Sequence, residues 1–364
     1  SVEMAMAVVD PRNGLVRAMV GGRDYNVSQV NLATGGSLGM QPGSSMKPFT
    51  LAAAFERGYK PDSTVPAPAV YTVPGCDGEG CQIKNSEGSG YGSASLRVAT
   101  SSSINTAYAS LAYEIGVPAV AEMAHRLGVT AITPDRDYGL SLTLGAYEVS
   151  PLDMASAYGS FANLGIHQDT TGIVRVTDKT GKVIEDNTSR PGTRVLSEAV
   201  ATNVTDVMRG VITSGTGRNA NIGRPAAGKT GTAENYTAAW FVGFRIFGNA
   251  IAAVSSSQAR GSDASPATTT KRGVRIPAAP RRAMRRLLSV ASRAASTEMP
   301  GSDSASATRA DSTASSAAWT NTPSGLASRA ARTSASASRR STWRKASARS
   351  RPDAWGSLSK ATVR

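Results

Sequence analysis

The stretch QPGSSMKPFT, residues 41–50, places a serine and a lysine where they could act together. Ser44 and Lys47 are three residues apart, so they share one face if a helix begins at Gly43. A serine hydroxyl is a poor nucleophile near neutral pH and needs an adjacent base to remove its proton. The spacing therefore suggests a serine nucleophile with a lysine as its base.

Histidine is the usual base for a serine, but the chain has only two histidines. His125 lies in a predicted helix and His167 in a predicted loop, and both positions favour an ordinary structural role. A lysine is protonated at neutral pH because its ordinary pKa is about 10.4. Burial and a second nearby cation lower that pKa. A lysine base therefore requires another cation close by, and Lys229, in the segment GKTGTAE, is the candidate.

Two further triplets follow along the chain, Ser103-Ile104-Asn105 and Lys229-Thr230-Gly231. Each of the three motifs is a weak signal when taken alone. Together they occur in a fixed order, each at the boundary of a predicted element. This ordered set is characteristic of penicillin-binding proteins and class A β-lactamases.

The elements that must position these motifs are predicted from apolar spacing, caps and turn residues. Two strands flank an Asn13-Gly14 turn at the start of the chain. A helix begins after Gly43 and ends at Gly58, and further helices follow, one of them interrupted at the serine cluster and one capped by Ser150. A hairpin turns at residues 180–181, a long helix comes after it, and two strand-like runs then face each other across ENYT. Strands at both ends with helices between them predict an α+β fold, an antiparallel sheet flanked by helices.

Composition divides the chain at residue 245. Residues 1–245 carry 20 Lys and Arg against 21 Asp and Glu, whereas residues 246–364 carry 20 against 5, so the whole net charge of +14 comes from the second part. The first part contains all ten tyrosines and enough apolar residues for a core. The second is rich in Ala, Ser, Arg and Thr and is predicted to be a disordered, low-complexity basic tail. Only non-specific charge attraction is expected of it, with no specific nucleic-acid partner.

The two cysteines lie close together in the glycine-rich segment PGCDGEGCQ. No second cysteine pair and no histidine accompanies Cys76 and Cys81, which argues against zinc, and no metal or cofactor is expected elsewhere. The spacing favours a local disulfide in an oxidising compartment over free thiols. The sequence has no starting methionine, signal peptide or apolar run of about 20 residues, so either it is soluble as it stands or its beginning is missing, as in an excerpt or partial gene.

The globular part resembles the transpeptidase domain of class A (bifunctional) penicillin-binding proteins of the actinobacterial type. The resemblance rests on segments spread over residues 1–244: DPRNGLVRAMVGGRDY, QPGSSMKPFT, SSSINTAY, SLTLGAYEVSPLDMASAYGSFANLGIH and AAGKTGTAENYTAAWFVGF. It implies the serine transpeptidase fold shared with β-lactamases. It also implies crosslinking of peptidoglycan stem peptides through an acyl-enzyme, and binding of penicillin.

The resemblance implies a role for each motif residue. Ser44 would be the acylated nucleophile and Lys47 its base. Ser103 would relay a proton to the leaving D-alanine, Asn105 would hold the substrate amide, and Lys229 would tune the local potential.

The remaining residues of the lysine motif would bind substrate. Thr230, Gly231 and Thr232 would line the strand on which the substrate lies, with the two threonines holding its terminal carboxylate. The backbone amides of Ser44 and Thr232 would form the oxyanion hole.

The resemblance stops soon after WFVGF. AIAAV could form one last strand, but the sequence after it has the composition expected of an out-of-frame reading of GC-rich DNA. A genuine disordered tail and an unfamiliar folded domain are the alternatives. If the fold is incomplete at its C-terminal end, the strand carrying Lys229 becomes an edge strand with an uncovered apolar face. Weak or absent activity is therefore expected of this chain.

Two other functions fit the same motifs. A DD-carboxypeptidase or β-lactamase would use water as acyl acceptor, and an inactive sensor or scaffold would bind penicillin or stem peptides without turnover. The usual parent protein also carries a membrane anchor and a glycosyltransferase domain, which places the domain at the extracytoplasmic face of the cell membrane.

Overall fold

The computed structural model of the protein describes residues 2–35, 39–233, 237–246 and 252–259, the last stretch as backbone alone. The α-helices of these residues are α1 Lys47–Glu56, α2 Leu96–Ser101, α3 Asn105–Ile115, α4 Val117–Arg126, α5 Pro151–Ala162 and α6 Glu198–Thr213. The strands are β1 Val2–Val9, β2 Val16–Val20, β3 Thr64–Ala67, β4 Val70–Thr72, β5 Gln82–Lys84, β6 Gly92–Ser95, β7 Ile166–His167, β8 Arg175–Thr177, β9 Val183–Asp186, β10 Thr193–Arg194, β11 Ala226–Thr232, β12 Ala238–Arg245 and β13 Ala252–Ala259.

The largest sheet has five antiparallel strands in the order β11-β12-β13-β1-β2. β1 and β2 form the predicted hairpin, and Gly14 in its turn has a φ of 74°. A Cβ atom at this position would lie 2.0 Å from the carbonyl oxygen of Asp169. Glycine is thus required here both by its backbone angle and by its neighbour. The other strands form four two-stranded pairs outside this sheet.

Strand β13 lies between β12 and β1 and pairs with both. It follows the boundary predicted at residue 245, so that boundary leaves out one strand of the sheet. The segment AIAAV, which the sequence allowed as a last strand, overlaps the beginning of β13. Beyond residue 259, the predicted tail and the predicted incompleteness of the fold lie outside the described residues.

Helix α1 is buried along nearly its whole length, from Lys47 to Phe55. Its run of alanines allows α3, α4 and α6 to pack closely around it. On another side, Phe49 meets Tyr158 of α5 edge to face, with ring centroids 5.9 Å apart. The predicted helix is confirmed, and Gly58 follows its end with a φ of 91°.

The other predicted helices and hairpins are also confirmed, except that His167, predicted to lie in a loop, ends the short strand β7, and residues 234–236 of the predicted ENYT turn lie outside the described residues. The helical pattern around the serine cluster is broken into α2 and α3, and the side chain of Ser150 caps α5 by accepting the N–H of Asp153 at 2.9 Å. Cys76 and Cys81 form a disulfide next to the β4–β5 hairpin. Among the helices of the described ranges, none is both long and apolar enough to cross a bilayer.

Candidate active site

Ser44 lies in a 3₁₀ turn, Gly43–Met46, that leads directly into α1. The N–H of Lys47 donates to the carbonyl of Ser44 at the end of this turn. Residues three apart in a 3₁₀ turn lie directly above one another, so the side chains of Ser44 and Lys47 leave the same face. Ser44 is half-buried, while Lys47 is fully buried.

Close backbone approaches hold this turn in place. Gly43 has a φ of 56° and donates its N–H to the carbonyl of Gly145 at 3.2 Å. A Cβ atom at position 43 would lie 2.3 Å from the carbonyl oxygen of Thr232, and one at position 145 would lie 2.1 Å from that of Gly43. Only glycines fit at these two positions, so the nucleophile turn sits directly between the 139–148 loop and the end of β11.

Side chains support the turn from beneath. The Tyr158 hydroxyl donates to the carbonyl of Ser45 at 2.6 Å, and Ser45 Oγ donates to the carbonyl of Pro42 at 2.7 Å. The amide of Gln41 donates to the carbonyl of Ala146 at 2.9 Å. Ser45 is thereby fixed as a structural residue, which leaves Ser44 as the serine exposed to the site.

The amine of Lys47 lies within hydrogen-bond distance of three acceptors on the second motif. Its Nζ lies 2.7 Å from the carbonyl oxygen of Ser103, 3.2 Å from Ser103 Oγ and 2.8 Å from Asn105 Oδ1. Within the described residues, its hydrogen bonds do not include the Ser44 hydroxyl. Burial, and next the charge of Lys229, hold the pKa of Lys47 well below its usual value. The lowered pKa favours the free amine, which is the form that accepts a proton.

Ser103 occupies the break between α2 and α3 with a φ of 57°. Positive φ is strained for a residue with a Cβ atom and persists where the surroundings fix it, often at functional sites. Here the strain turns both the carbonyl and the hydroxyl of Ser103 toward Lys47. The hydroxyl also lies 2.9 Å from Lys229 Nζ, so it is shared by both lysines.

Asn105 connects Lys47 to the segment of residues 61–92, which lies between α1 and α2. Its Oδ1 accepts from Lys47, and its Nδ2 donates to the carbonyl of Lys84 at 3.1 Å. The next residue, Thr106, donates from its hydroxyl to the carbonyl of Pro68 at 2.8 Å. The amide of Asn105 is therefore held in one orientation by an acceptor on one side and a donor on the other.

Lys229 lies on β11 and is fully buried. Besides Ser103 Oγ, its Nζ donates to the carbonyl of Thr230 at 2.9 Å, and it lies 3.4 Å from Thr230 Oγ1. Burial lowers the pKa of Lys229 to about 7. The second cation that the sequence required beside Lys47 is thus in place.

β11 is the edge strand of the sheet, and its register directs selected backbone groups toward the open edge. The N–H of Ala233 donates to the carbonyl of Ala238 at 2.9 Å, which makes these two a hydrogen-bonded pair. Opposite pairs alternate in an antiparallel ladder, so the N–H and C=O groups of Thr230 and Thr232 face away from β12. The bond from Lys229 Nζ to the Thr230 carbonyl agrees with this direction.

The edge position of β11 matches the sequence prediction, but the uncovered apolar face does not. Ala227, Gly228, Lys229 and Gly231 are buried, and α6 packs against the strand. Gly231 comes so close to the nucleophile turn that a Cβ atom there would lie 2.1 Å from the carbonyl oxygen of Pro42. The unpaired backbone groups of the edge face the site. The uncovered apolar face was the physical reason for expecting weak activity, and that reason is wrong because the face is covered.

The arrangement can perform acyl transfer. It contains a serine at a helix start, a buried lysine one turn later, a hydroxyl between two lysines, and unpaired N–H groups on a strand edge. Groups of these types can serve as a nucleophile, its base, a proton relay and hydrogen-bond donors for an anion. The described residues contain no group of three or more His, Cys, Asp or Glu side chains that could hold a metal.

A comparison with protein families matches residues 4–269 to the family described as "Penicillin binding protein transpeptidase domain". The chain belongs to this family. Penicillin-binding protein 1A of Aquifex aeolicus is 36% identical to this transpeptidase domain over 251 residues, which are 67% of the chain and 33% of that protein. Penicillin-binding protein 1A of Mycobacterium tuberculosis is 34% identical over 264 residues, 66% of the chain and 30% of that protein.

Solved structures share the fold. The PonA1 protein from Mycobacterium tuberculosis, in complex with penicillin V, has a TM-score of 0.66 and 27% identity to this transpeptidase domain, over 83% of this chain and 80% of that one. The D,D-transpeptidase domain of a peptidoglycan glycosyltransferase from Eggerthella lenta has a TM-score of 0.58 and 25% identity, over 70% and 72%. The chain spans about a third of the length of the curated relatives it matches.

Motif reasoning located the hydrogen-bonded residues of the transpeptidase domain but missed their supports. Gly145 lies in the quoted segment SLTLGAYEVSPLDMA without a predicted role, yet it fixes the nucleophile turn. Thr216 was not singled out at all, although its hydroxyl lies 2.7 Å from that of Thr230. The glycines on both sides of Thr216 were the available signal, since paired glycines indicate a tight turn.

Proposed function

We propose that this chain is a serine D-Ala-D-Ala transpeptidase that crosslinks peptidoglycan stem peptides and is acylated by β-lactams. One observation carries the proposal: the fully buried amines of Lys47 and Lys229 share the Ser103 hydroxyl, and Lys47 lies one turn after Ser44. An amine that burial keeps unprotonated is the base that a serine nucleophile requires.

The first step is attack on the penultimate D-alanine. Ser44 Oγ bonds to the carbonyl carbon while its proton passes to the free amine of Lys47. The carbonyl oxygen becomes an oxyanion, which accepts hydrogen bonds from the N–H groups of Ser44 and Thr232. The closeness of Gly43 to Thr232 supports this pairing of donors, because it brings the two amides to the same side of the turn.

The second step breaks the bond to the terminal D-alanine. The leaving nitrogen takes the proton of Ser103, which is replaced by the proton that Lys47 received from Ser44. Ser103 Oγ lies 3.2 Å from Lys47 Nζ and 2.9 Å from Lys229 Nζ, so the relay needs no large movement. Ser44 is now an ester of the first stem peptide.

Substrate lies along the open edge of β11. An extended peptide can add to such an edge through its backbone. The hydroxyls of Thr230 and Thr232 bind the terminal carboxylate, Gly231 between them leaves room for the nucleophile turn, and Asn105 holds the substrate amide. A β-lactam enters by the same route because its carboxylate and cyclic amide mimic D-Ala-D-Ala.

An amine from a second stem peptide completes the reaction. It attacks the ester carbonyl and loses a proton, while Ser44 Oγ leaves and regains one. Water in the same position would make the enzyme a carboxypeptidase or β-lactamase. In a full-length parent the domain would work at the extracytoplasmic face of the membrane beside a glycosyltransferase domain.

Mass spectrometry of the intact chain after exposure to penicillin tests the assignment. We expect a mass increase of one penicillin, located on the peptide that contains Ser44, and its loss in Ser44→Ala. Ser102→Ala is the matched control because Ser102 is an exposed serine of the same site region. An unmodified chain, or a label that persists in Ser44→Ala, would contradict the proposal.

Analysis of the reaction products distinguishes a transpeptidase from a hydrolase and from a penicillin-binding sensor. A stem pentapeptide is supplied with and without an amine acceptor, and released D-alanine and crosslinked product are both measured. Transpeptidation requires a crosslinked product that appears only with the acceptor. D-Alanine release without crosslinking would indicate a hydrolase, and stable acylation without either product would indicate a penicillin-binding sensor.

A further inference from the structure

A hydroxyl outside the three motifs lies against the strand proposed to bind the carboxylate. Thr216 belongs to the turn of residues 214–217 that follows α6, and its Oγ1 lies 2.7 Å from Oγ1 of Thr230 on β11. The Thr216 side chain is exposed and Thr230 is half-buried. Both hydroxyls are therefore within reach of a molecule that enters from solvent.

The backbone fixes this turn independently of the Thr216 side chain. The N–H of Thr216 donates to the carbonyl of Ser101 at 3.0 Å, and that of Gly217 donates to the carbonyl of Val211 at 2.9 Å. A Cβ atom at Gly215 would lie 2.3 Å from the Ser101 carbonyl oxygen. The hydroxyl of Thr216 is thus not needed to hold its own turn and is available for another purpose.

The hydrogen-bonding capacity of Thr230 identifies that purpose. A hydroxyl has one proton and two lone pairs. Lys229 Nζ lies 3.4 Å from Thr230 Oγ1 and can donate to one lone pair. If Thr216 donates to the other, the proton of Thr230 must point away from both neighbours. In the reverse arrangement Thr230 donates its hydroxyl proton to Thr216 and presents a lone pair, which repels an anion, to the ligand.

We propose that Thr216 is a positioning residue that donates to Thr230 Oγ1 and so directs the Thr230 proton toward the carboxylate of the ligand. The inference rests on the proposed transpeptidase function and adds to it a residue that determines carboxylate recognition. A bound anion selects this arrangement because it can only accept hydrogen bonds.

The substitution Thr216→Val tests the proposal, since it removes the hydroxyl and keeps the backbone N–H that binds Ser101. The second-order rate constant of acylation is measured with benzylpenicillin and with its methyl ester, which lacks the charge. We expect Thr216→Val to lower the value for benzylpenicillin by about 10-fold, through weaker binding with an unchanged limiting rate, and to leave the value for the ester unchanged. Thr216→Ser restores the hydroxyl and should recover most of the loss.

Thr213→Val is the matched control, because Thr213 is an exposed threonine one helical turn away at the end of α6. Thermal melting establishes that each variant is folded, and Thr216→Ala replaces the valine variant if that one is not. Equal efficiency in the valine variant and the unsubstituted chain would overturn the inference alone. An equal loss for penicillin and ester, or no recovery with serine, would overturn it as well. If the unsubstituted chain is not acylated at all, the proposed function fails together with this inference.

Discussion

Two clusters in the described part of the chain bring serine together with a potential base, one around Ser160 and one around Ser44 and Ser103, and only the second is open to substrate. Ser160 Oγ is 3.1 Å from His167 Nδ1, and His167 Nε2 is 3.6 Å from Asp169 Oδ1, so the three residue types of a serine-hydrolase triad are assembled. Ser44 instead lies one turn before Lys47, whose amine contacts the Ser103 hydroxyl together with the amine of Lys229. By residue type alone, the first cluster resembles the better-known catalytic device.

The surroundings of the two clusters nevertheless favour Ser44 as the nucleophile. Ser160 is 1% exposed near the C-terminal end of α5, where no carbonyl carbon could reach its oxygen. Ser44 lies at a helix start beside the open edge of β11, which provides unpaired N–H groups. Burial lowers the pKa of both His167 and Lys47, yet only the lysine base has an accessible nucleophile one turn away. Access and anion stabilisation, more than the identity of the base, distinguish the two clusters.

The largest expected effect is on acylation when the lysine base is removed. Lys47→Met should lower the second-order rate constant for a fluorescent penicillin by about 10³-fold, which is the usual contribution of a general base. The variant should remain folded, because it exchanges a buried amine for an apolar side chain of similar length. Stopped-flow labelling with circular dichroism measures both. Labelling within 10-fold of the unsubstituted chain would contradict the assignment.

The second effect concerns the coupling between the two lysines. The charge of Lys229 helps to lower the pKa of Lys47, so Lys229→Met should raise that pKa and reduce the free amine available near pH 7. Once the pKa of Lys47 exceeds the pH, each further unit of increase should lower the free-amine fraction, and with it acylation, about 10-fold. The loss should diminish as pH rises, and the pH profile of labelling measures it. A loss that is the same at every pH would mean that Lys229 acts in another way.

Lys229 should make the free energy of unfolding depend on pH in the opposite direction to a lysine in an ion pair, because its pKa is lowered rather than raised. The folded chain holds Lys229 with a pKa of about 7, while the unfolded chain has the ordinary value near 10.5, so the unfolded state binds more protons between them. The free energy of unfolding should therefore rise with pH across this window, by about 1.4 kcal/mol per pH unit for each such lysine. Urea unfolding from pH 7 to 9 should show a smaller slope in Lys229→Met. The exposed Lys179→Met should keep the original slope.

Much of this site was predictable because its chemistry demands particular residue types. Lysine as base followed from the scarcity of histidine, and the need for a second cation pointed to Lys229 before any geometry was known. The helix after Gly43 and the break near Ser103 followed from local patterns. These are short-range features, which apolar spacing and turn residues encode directly.

Long-range contacts were not predictable in the same way. The approach of Gly145 to Gly43 joins distant segments, as does the bond from Tyr158 to Ser45. Strand β13 pairs with β1 and β12, but its sequence, AAVSSSQA, does not alternate between apolar and polar residues. For this reason the domain boundary was predicted at residue 245. The covering of β11 by α6 likewise depends on tertiary packing. Each of these required the fold as a whole.

The smallest effect is expected at the cluster that resembles a triad. His167→Asn should leave penicillin acylation within about 2-fold, because Ser160 cannot reach substrate. It should lower the free energy of unfolding by about 1–2 kcal/mol, since the ring of His167 packs against Gly128, where a Cβ atom would lie 2.5 Å from its Cε1.

The loss of stability in His167→Asn should itself depend on pH, because the pKa of His167 is lowered in the folded chain. Burial lowers the pKa of His167, so the unfolded state binds more protons just below pH 6.5, and the contribution of His167 to stability is present above that pH and falls as pH decreases through it. The asparagine variant should lack this fall, as parallel urea titrations between pH 5 and 7 would measure. If instead the variant lost acylation in proportion to Lys47→Met, the distinction between an open and a closed serine would not hold, and His167 would belong to the catalytic machinery.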